Sequence, residues 1–342
     1  MHGQFVWYEL TTPDVEASKK FYPRFMSWGT QSFDKDYTMW TTGGVPFAGI
    51  FRLNDEMRAK GVPPNWMPYV EVDNVDATAD KAKSLGATVV AGPDDIPDTG
   101  RFAVIQDPQG ATIGLYKSNR PGGGWSGDAV VGRPSWHELM TTDYRKAVQF
   151  YNALFGWVKV GEEMDMGGGE MYYMYGQRGK MYGGIFTTPK EMAGMHPFWL
   201  VYFNVKDVSK AVSTATQAGG TVKRPQMDIP GGTIAILGDP QGAGFALHDV
   251  KAMPAAATAP AKPAAPAKPA APAKSSAPAK SAAPKRKAAA KKKAAPKRAV
   301  APKKKAAAKR KAAAPKRKSA RKAATPKRKA KAAPKRKAKK KK

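Results

Sequence analysis

The sequence predicts an α+β fold: two tandem copies of one plan, each made of two strand-helix-three-strand (βαβββ) units, followed by a disordered basic tail. Three observations carry this. First, Trp7-Tyr8-Glu9-Leu10-Thr11-Thr12-Pro13-Asp14 returns as Trp136-His137-Glu138-Leu139-Met140-Thr141-Thr142-Asp143. Second, further echoes keep the same order: Phe21-Tyr22 with Phe150-Tyr151, Trp28 with Trp157, Tyr69 with Tyr202, and Asp107-Pro108-Gln109-Gly110 with Asp239-Pro240-Gln241-Gly242. A period this long signals a duplicated domain rather than a solenoid, whose units run about 20 to 50 residues. Third, composition breaks near residue 251: beyond it the chain holds 35 Lys+Arg and no Asp or Glu.

The elements follow in order. Residues 5–10 alternate as a strand, with Trp7 and Glu9 on one face and Val6, Tyr8 and Leu10 on the other. Thr12-Pro13-Asp14 starts a helix whose apolar stripe runs through Phe21, Tyr22 and Phe25, with Gly29 as its stop. Short strands are expected at 31–33, 37–41 and 46–53, and residues 54–65 read as a connection. The plan then restarts with a strand at 66–72, a helix at 75–85 and a strand at 88–91. A hairpin of 101–106 with 112–116 completes the copy. The second copy repeats it: strand 135–140, helix 144–154, strands near Lys159, Tyr172 and Ile185, strand 200–205, helix 208–218 and hairpin 233–237 with 244–248.

The expected organisation is therefore a first domain over 1–119, a Gly-rich linker over 120–132 and a second domain over 133–250. A Pro/Ala-rich spacer over 251–284 and a Lys/Arg-rich tail over 285–342 follow. The linker glycines are not followed by a helix start with Lys-Ser/Thr, so they do not form a phosphate loop. The chain has 58 Lys+Arg and 27 Asp+Glu; the head keeps 23 of the basic residues and all 27 acidic ones. It is thus slightly acidic, and the surplus belongs to the tail. Without cysteine, disulfides, thiolate metal sites and Cys nucleophiles are excluded. No run of 18 apolar residues occurs, and a cytoplasmic protein is expected.

Strand parity gathers candidate site residues. Trp7 and Glu9 share a face; Met67, Tyr69, Glu71 and Tyr116 line it from the second half of the first copy. The second copy offers Trp136, Glu138, Tyr202, Asn204 and His248, with Leu200 and Ala246 beside them. This is the aromatic lining with a few polar groups expected of a small-molecule pocket. Glu9, Glu138 and His248 are the candidate catalytic groups. A carboxylate walled by Trp and Tyr is desolvated, which lifts its pKa toward that of a usable general acid or base. The competing reading is a Glu hydrogen-bonded within the sheet and core tyrosines with no chemical role. No Ser-His-Asp arrangement is visible.

The Asp-x6-Phe-Tyr helix start and the Asp-Pro-Gln-Gly hairpin, in two ordered copies over residues 4–118 and 133–250, resemble the vicinal-oxygen-chelate superfamily. That group includes glyoxalase I, bleomycin-resistance proteins and extradiol dioxygenases. The resemblance implies two tandem domains of this kind, in each of which two βαβββ units form an eight-stranded cupped sheet. It also implies a divalent metal held in the cup by His and Glu from the first and last strand of each unit. The matching positions are Trp7, Met67, Trp136 and Leu200, then Gly49, Gly114, Gly184 and Ala246. None carries an imidazole, carboxylate or thiolate. The expectation is a cup with no cofactor and no divalent metal.

The tail holds 30 positive charges in its last 58 residues, set between prolines and with Val300 as its largest apolar side chain. It cannot build a core and is expected to be disordered. It resembles the C-terminal domain of linker histone and Lys-Ala-Pro tails of bacterial nucleoid-associated proteins. Non-specific DNA contacts are expected from Lys285, Arg286, Lys287, Lys291, Lys292, Lys293, Lys297, Arg298, Lys316, Arg317, Lys318, Lys327, Arg328, Lys329, Lys335, Arg336 and Lys337. Without an aromatic residue, the tail has no stacking platform for bases.

The expectation is thus a metal-free, ligand-binding or weakly catalytic head tethered to DNA and associated with the nucleoid. Two alternatives stand beside it: an active lyase, dioxygenase or hydroxylase with a non-standard site, and a DNA-compacting protein with the head as a cap. Other polyanions could replace DNA, and a homodimer is open to the head.

Overall fold

The computed structural model describes residues 1–119, 130–167 and 169–250. The tail over 251–342, with every DNA contact expected there, and nearly all of the 120–132 linker lie outside the described residues.

The first repeat runs β1 (Phe5–Thr12), α1 (Val15–Phe21), β2 (Trp28–Ser32), β3 (Tyr37–Thr42), β4 (Val45–Arg52), α2 (Asp55–Ala59), β5 (Asn65–Glu71), α3 (Val75–Ser84), β6 (Thr88–Ile96), β7 (Gly100–Gln106) and β8 (Thr112–Ser118). The second runs β9 (Pro134–Thr141), α4 (Tyr144–Phe155), β10 (Val158–Lys159), β11 (Met164–Asp165), β12 (Met171–Gln177), β13 (Lys180–Thr187), β14 (Phe198–Asn204), α5 (Val208–Gln217), β15 (Thr221–Ile229), β16 (Gly232–Gly238) and β17 (Gly244–Val250). Each repeat forms its own mixed sheet, ordered β2-β3-β4-β1-β5-β8-β7-β6 and β10-β12-β13-β9-β14-β17-β16-β15, with β11 added beside β12. This is the α+β, paired-βαβββ architecture expected.

Local chemistry places the helices. Asp14, Asn74, Asp143 and Asp207 each accept a first-turn backbone N–H, so one capping device recurs at corresponding places in the repeats. The first helix stops earlier than its apolar stripe implied. It gives way at Tyr22 to a 3-10 turn containing Pro23, and Gly29 lies inside β2 instead of capping a helix. The connection at 54–65 contains the short helix α2, capped by Asn54.

The first strand of each unit pairs parallel with that unit's last strand, and the two first strands pair antiparallel at the centre of the sheet. Alternation then sorts side chains. Tyr8 and Leu10 are buried in the core with the helix residues Phe21, Val75, Ala79 and Ala82, whereas Trp7 and Glu9 stay partly open. One continuous hydrophobic cluster includes both repeats: Phe203 of β14 packs on Trp28 and Trp66 with centroids 5.1 and 5.0 Å away, and Phe5 stacks on His137 at 3.7 Å.

Polar clasps repeat across this seam. Trp66 Nε1 donates to Tyr22 Oη, which donates to Asp239 Oδ2 of the other repeat at 3.0 Å. Trp199 Nε1 donates to Tyr151 Oη, which donates to Asp107 Oδ2 at 2.9 Å. Trp28 Nε1 donates to the Gly132 carbonyl, and Trp157 Nε1 to the Gly3 carbonyl, both at 2.7 Å. The Phe-Tyr pair and the Asp-Pro-Gln-Gly hairpin therefore bind each repeat to the other.

Candidate active site: two aromatic cups

β1 and β5 bring Glu9, Met67 and Gly49 into one cross-strand row, and Trp7, Tyr69 and Gly114 into the next. From β3, Tyr37 reaches over Gly49. Trp7 Nε1 donates to Tyr37 Oη at 2.8 Å, Tyr37 donates to Glu9 Oε1 at 2.9 Å, and Tyr69 donates to Glu9 Oε2 at 2.5 Å. An indole N–H only donates, so the Tyr37 proton must point to Glu9. The second repeat builds the same chain: Trp136 Nε1 to Tyr172 Oη at 2.8 Å, Tyr172 to Glu138 Oε2 at 2.9 Å and Tyr202 to Glu138 Oε1 at 3.0 Å.

Glycine makes this packing feasible. A Cβ on Gly49 would stand 1.8 Å from Tyr37 Oη, one on Gly114 2.0 Å from the Tyr69 ring and one on Gly184 1.9 Å from the Tyr172 ring. The tyrosines therefore lie directly over backbone, with their hydroxyls on the carboxylates.

A Trp-Tyr-carboxylate relay occurs four times, twice at the seam and twice in the cups, and its surroundings separate structural from available acids. Asp107 Oδ1 also accepts the backbone N–H groups of Gln109, Gly110 and Ala111, and Asp107 is buried at 4 % exposure. Glu9 and Glu138 are only partly buried, and each receives one phenol per oxygen. A carboxylate has about four lone-pair sites, so acceptor capacity remains on both. Burial raises the pKa of Glu9, partly offset by the Tyr69 and Tyr37 hydroxyls. Burial raises that of Glu138 too, offset by Tyr172, Tyr202 and the charge of Arg224. The tyrosines are pushed well above the usual phenol value by burial and the adjacent carboxylate, and so remain protonated donors.

The structure thus joins Trp7, Glu9 and Tyr69 in one network and Trp136, Glu138 and Tyr202 in another, with Met67 across from Glu9. The remaining candidates stand outside those networks. Glu71 pairs with Lys117 at 3.2 Å, and Tyr116 donates to the Thr99 carbonyl. Asn204 exchanges backbone hydrogen bonds with Arg133 and Gly132. His248 stands on the row of Asn204 and Ile234, its Nδ1 3.2 Å from Ser135 Oγ and its buried Nε2 against Gly232. Burial lowers its pKa, so it is neutral near pH 7. Tyr37 and Tyr172 are the site residues that strand parity missed. Their shared place in the repeats, with Gly49 and Gly184 at the same offset, is the signal that could have found them.

Each of the two mixed sheets is built on paired βαβββ units and carries a carboxylate on its central first strand. The chain belongs to the Glyoxalase/Bleomycin resistance protein/Dioxygenase superfamily, whose family model matches residues 50–115 and 133–247. It is 35% identical over 250 residues to CFP32 of Mycobacterium tuberculosis, named as a candidate glyoxylase, covering 70% of this chain and 92% of that protein. It is 30% identical over 277 residues to the anthracycline biosynthesis protein DauV of Streptomyces sp. strain C5, covering 75% and 96%. Among solved structures, homoprotocatechuate 2,3-dioxygenase from Arthrobacter globiformis matches with a TM-score of 0.53 at 12% identity, over 72% of this chain and 80% of that one. The Mn(II)-bound glyoxalase from Novosphingobium aromaticivorans matches with a TM-score of 0.49 at 13% identity, over 72% and 82%.

These neighbours correct one expectation. A cup with no cofactor and no divalent metal does not follow from eight mismatched positions, because the fold is shared with homoprotocatechuate 2,3-dioxygenase at a TM-score of 0.53. The donor set nevertheless does not fit a metal by itself: among the described residues no group of three or more His, Cys, Asp or Glu converges where an ion could be held. Also among the described residues, no helix is long and apolar enough to cross a membrane.

Proposed function

We propose that the head binds a planar small molecule in its cups and that Glu9 and Glu138 accept a hydrogen bond or a proton from it. The observation that carries this reading is the twice-built Trp-Tyr-Glu-Tyr chain, in which a partly open carboxylate is held by two phenols, one of them fixed by a Trp N–H. Two hydroxyl donors fix the carboxylate's direction before a ligand arrives, which lowers the ordering cost of binding. A raised pKa brings its conjugate acid nearer neutral pH, so a proton taken from a substrate can be returned. The aromatic walls suit a flat apolar body, and a relative named for anthracycline biosynthesis supports an aromatic ligand class.

The tail adds the second half of the proposal: its charge brings the head to DNA or another polyanion without sequence preference. The cup is tested by titrating the full chain with hydroxylated polycyclic aromatics while following the indole N–H signals of Trp7 and Trp136. Saturable shifts that weaken about ten-fold in Glu138→Gln and Glu9→Gln support the reading, on the scale of losing a charge-assisted hydrogen bond. Binding that moves neither indole contradicts it.

A further inference from the structure

We propose that the second cup, and not the first, takes a ligand bearing a carboxylate, with Arg224 as its anchor at the rim and the partly exposed Trp136 and Ile236 beneath its ring. This rests on the cup being a binding site and names the ligand chemistry of one of the two.

Arg224 of β15 faces Ile236 of β16, Ile236 faces Ala246 of β17, Ala246 faces Tyr202 of β14 and Tyr202 faces Trp136 of β9. Direct cross-strand partners share a sheet face, so Arg224 stands on the face that carries the Glu138 network. Ile236 and Trp136 pack on the Leu200, Tyr202, Ile234 and Ala246 cluster, which makes this face apolar between the Arg and the acid. Three strand spacings separate Arg224 from Tyr202, about 14 Å of backbone at roughly 4.8 Å each. Along that face Tyr202 and Ala246 are buried, while Ile236, Trp136 and Glu138 are partly exposed, so these three are the surface open to a ligand.

The matching row of the first cup is Ala91, Val104, Gly114, Tyr69 and Trp7. Ala91 stands where Arg224 stands, so two cups with identical acid networks differ in charge at one end. Arg224 is exposed, and its side chain makes no hydrogen bond or ion pair among the described residues. Its charge still lowers the pKa of Glu138 and of Tyr202 against the effect of burial, while no cation acts on Glu9 or Tyr69. A guanidinium fork matches a carboxylate in bidentate geometry better than it matches any neutral group. Apolar floor, free fork and distant acceptor together describe a flat carboxylate with a hydrogen-bond donor at its far end.

The test uses the full chain at physiological salt, which screens the exposed charges of the tail. The probes are 1-naphthoate and its neutral isostere 1-naphthamide. All eight Trp precede residue 251, so indole N–H signals report on the head alone, and Trp136→Phe assigns the relevant one. The expected result is that naphthoate shifts the Trp136 signal saturably and binds about ten-fold more tightly than naphthamide, a difference typical of one charge-assisted contact at a partly solvated site. Arg224→Gln should abolish that preference, and Ala91→Arg should create it at Trp7. Naphthoate affinity unaffected by Arg224→Gln would overturn the carboxylate anchor while leaving the cup intact as a site. If neither probe moved Trp7 or Trp136, the cup reading would fall, and this inference with it.

Discussion

Tyr8 donates its hydroxyl to His137 Nε2 across 2.7 Å, and the two residues hold the same place in their respective repeats. His137 Nδ1 lies 2.9 Å from the Tyr182 carbonyl, which only accepts, so Nδ1 carries a proton, and in the neutral ring Nε2 is left to accept from Tyr8. Burial pushes its pKa down to about 3. The unfolded chain therefore binds a proton, near pH 6.5, that the fold refuses. His137's contribution to stability is complete above about pH 6.5 and is lost as pH falls toward 3, by up to about 4 to 5 kcal/mol. Urea unfolding at pH 7, 5 and 4 should show this, and the difference between wild type and His137→Gln should shrink as pH drops. A constant difference would contradict it.

The seam clasps make matched predictions. Tyr151→Phe deprives Asp107 Oδ2 of a donor, and Tyr22→Phe does the same to Asp239. Each should cost about 1 to 3 kcal/mol, the penalty for a buried acceptor left unpaired. Equilibrium unfolding checks this; a loss below about 0.5 kcal/mol in both would mean that the relays do not hold the repeats together.

Glycine substitutions test how the cups are packed. Gly184→Ala must displace Tyr172 from Glu138, and Gly114→Ala must displace Tyr69 from Glu9. Both should destabilise by about 1 to 3 kcal/mol and change the near-UV signal of the cup aromatics. Gly244→Ala, whose Cβ meets nothing within 4 Å, is the control. Variants indistinguishable from that control would show that the tyrosines do not lie over the backbone.

For the tail, DNA affinity measured against salt should fall with a log-log slope near −9 if about ten lysines and arginines displace counterions together. A slope near zero would remove DNA as the tail's partner.

The fold was legible because duplication repeats every turn and cap signal twice, and alternation alone set Trp7, Glu9, Trp136 and Glu138 on the right face. Tyr37 and Tyr172 were not, because they sit on strands that reach the acid only through the parallel pairing of β4 with β1 and of β13 with β9. Arg224 escaped because bulges on both sides of it break the alternation of β15. The Phe-Tyr and Asp-Pro-Gln-Gly motifs read as a helix face and a hairpin, since a bond from Tyr22 to Asp239 exists only between the copies. Ligand positions read one at a time do not decide the metal question, because the fold is shared with a solved dioxygenase.

On the proposed function, Glu9 and Glu138 are available acids held ready between phenols. Carboxyl carbon NMR of Glu-labelled full chain, assigned with Glu9→Gln and Glu138→Gln, tests it most directly. Both residues should titrate above the other glutamates, and both signals should move when a planar ligand is added. Ordinary titration of both, with no response to any ligand that binds the head, would contradict it.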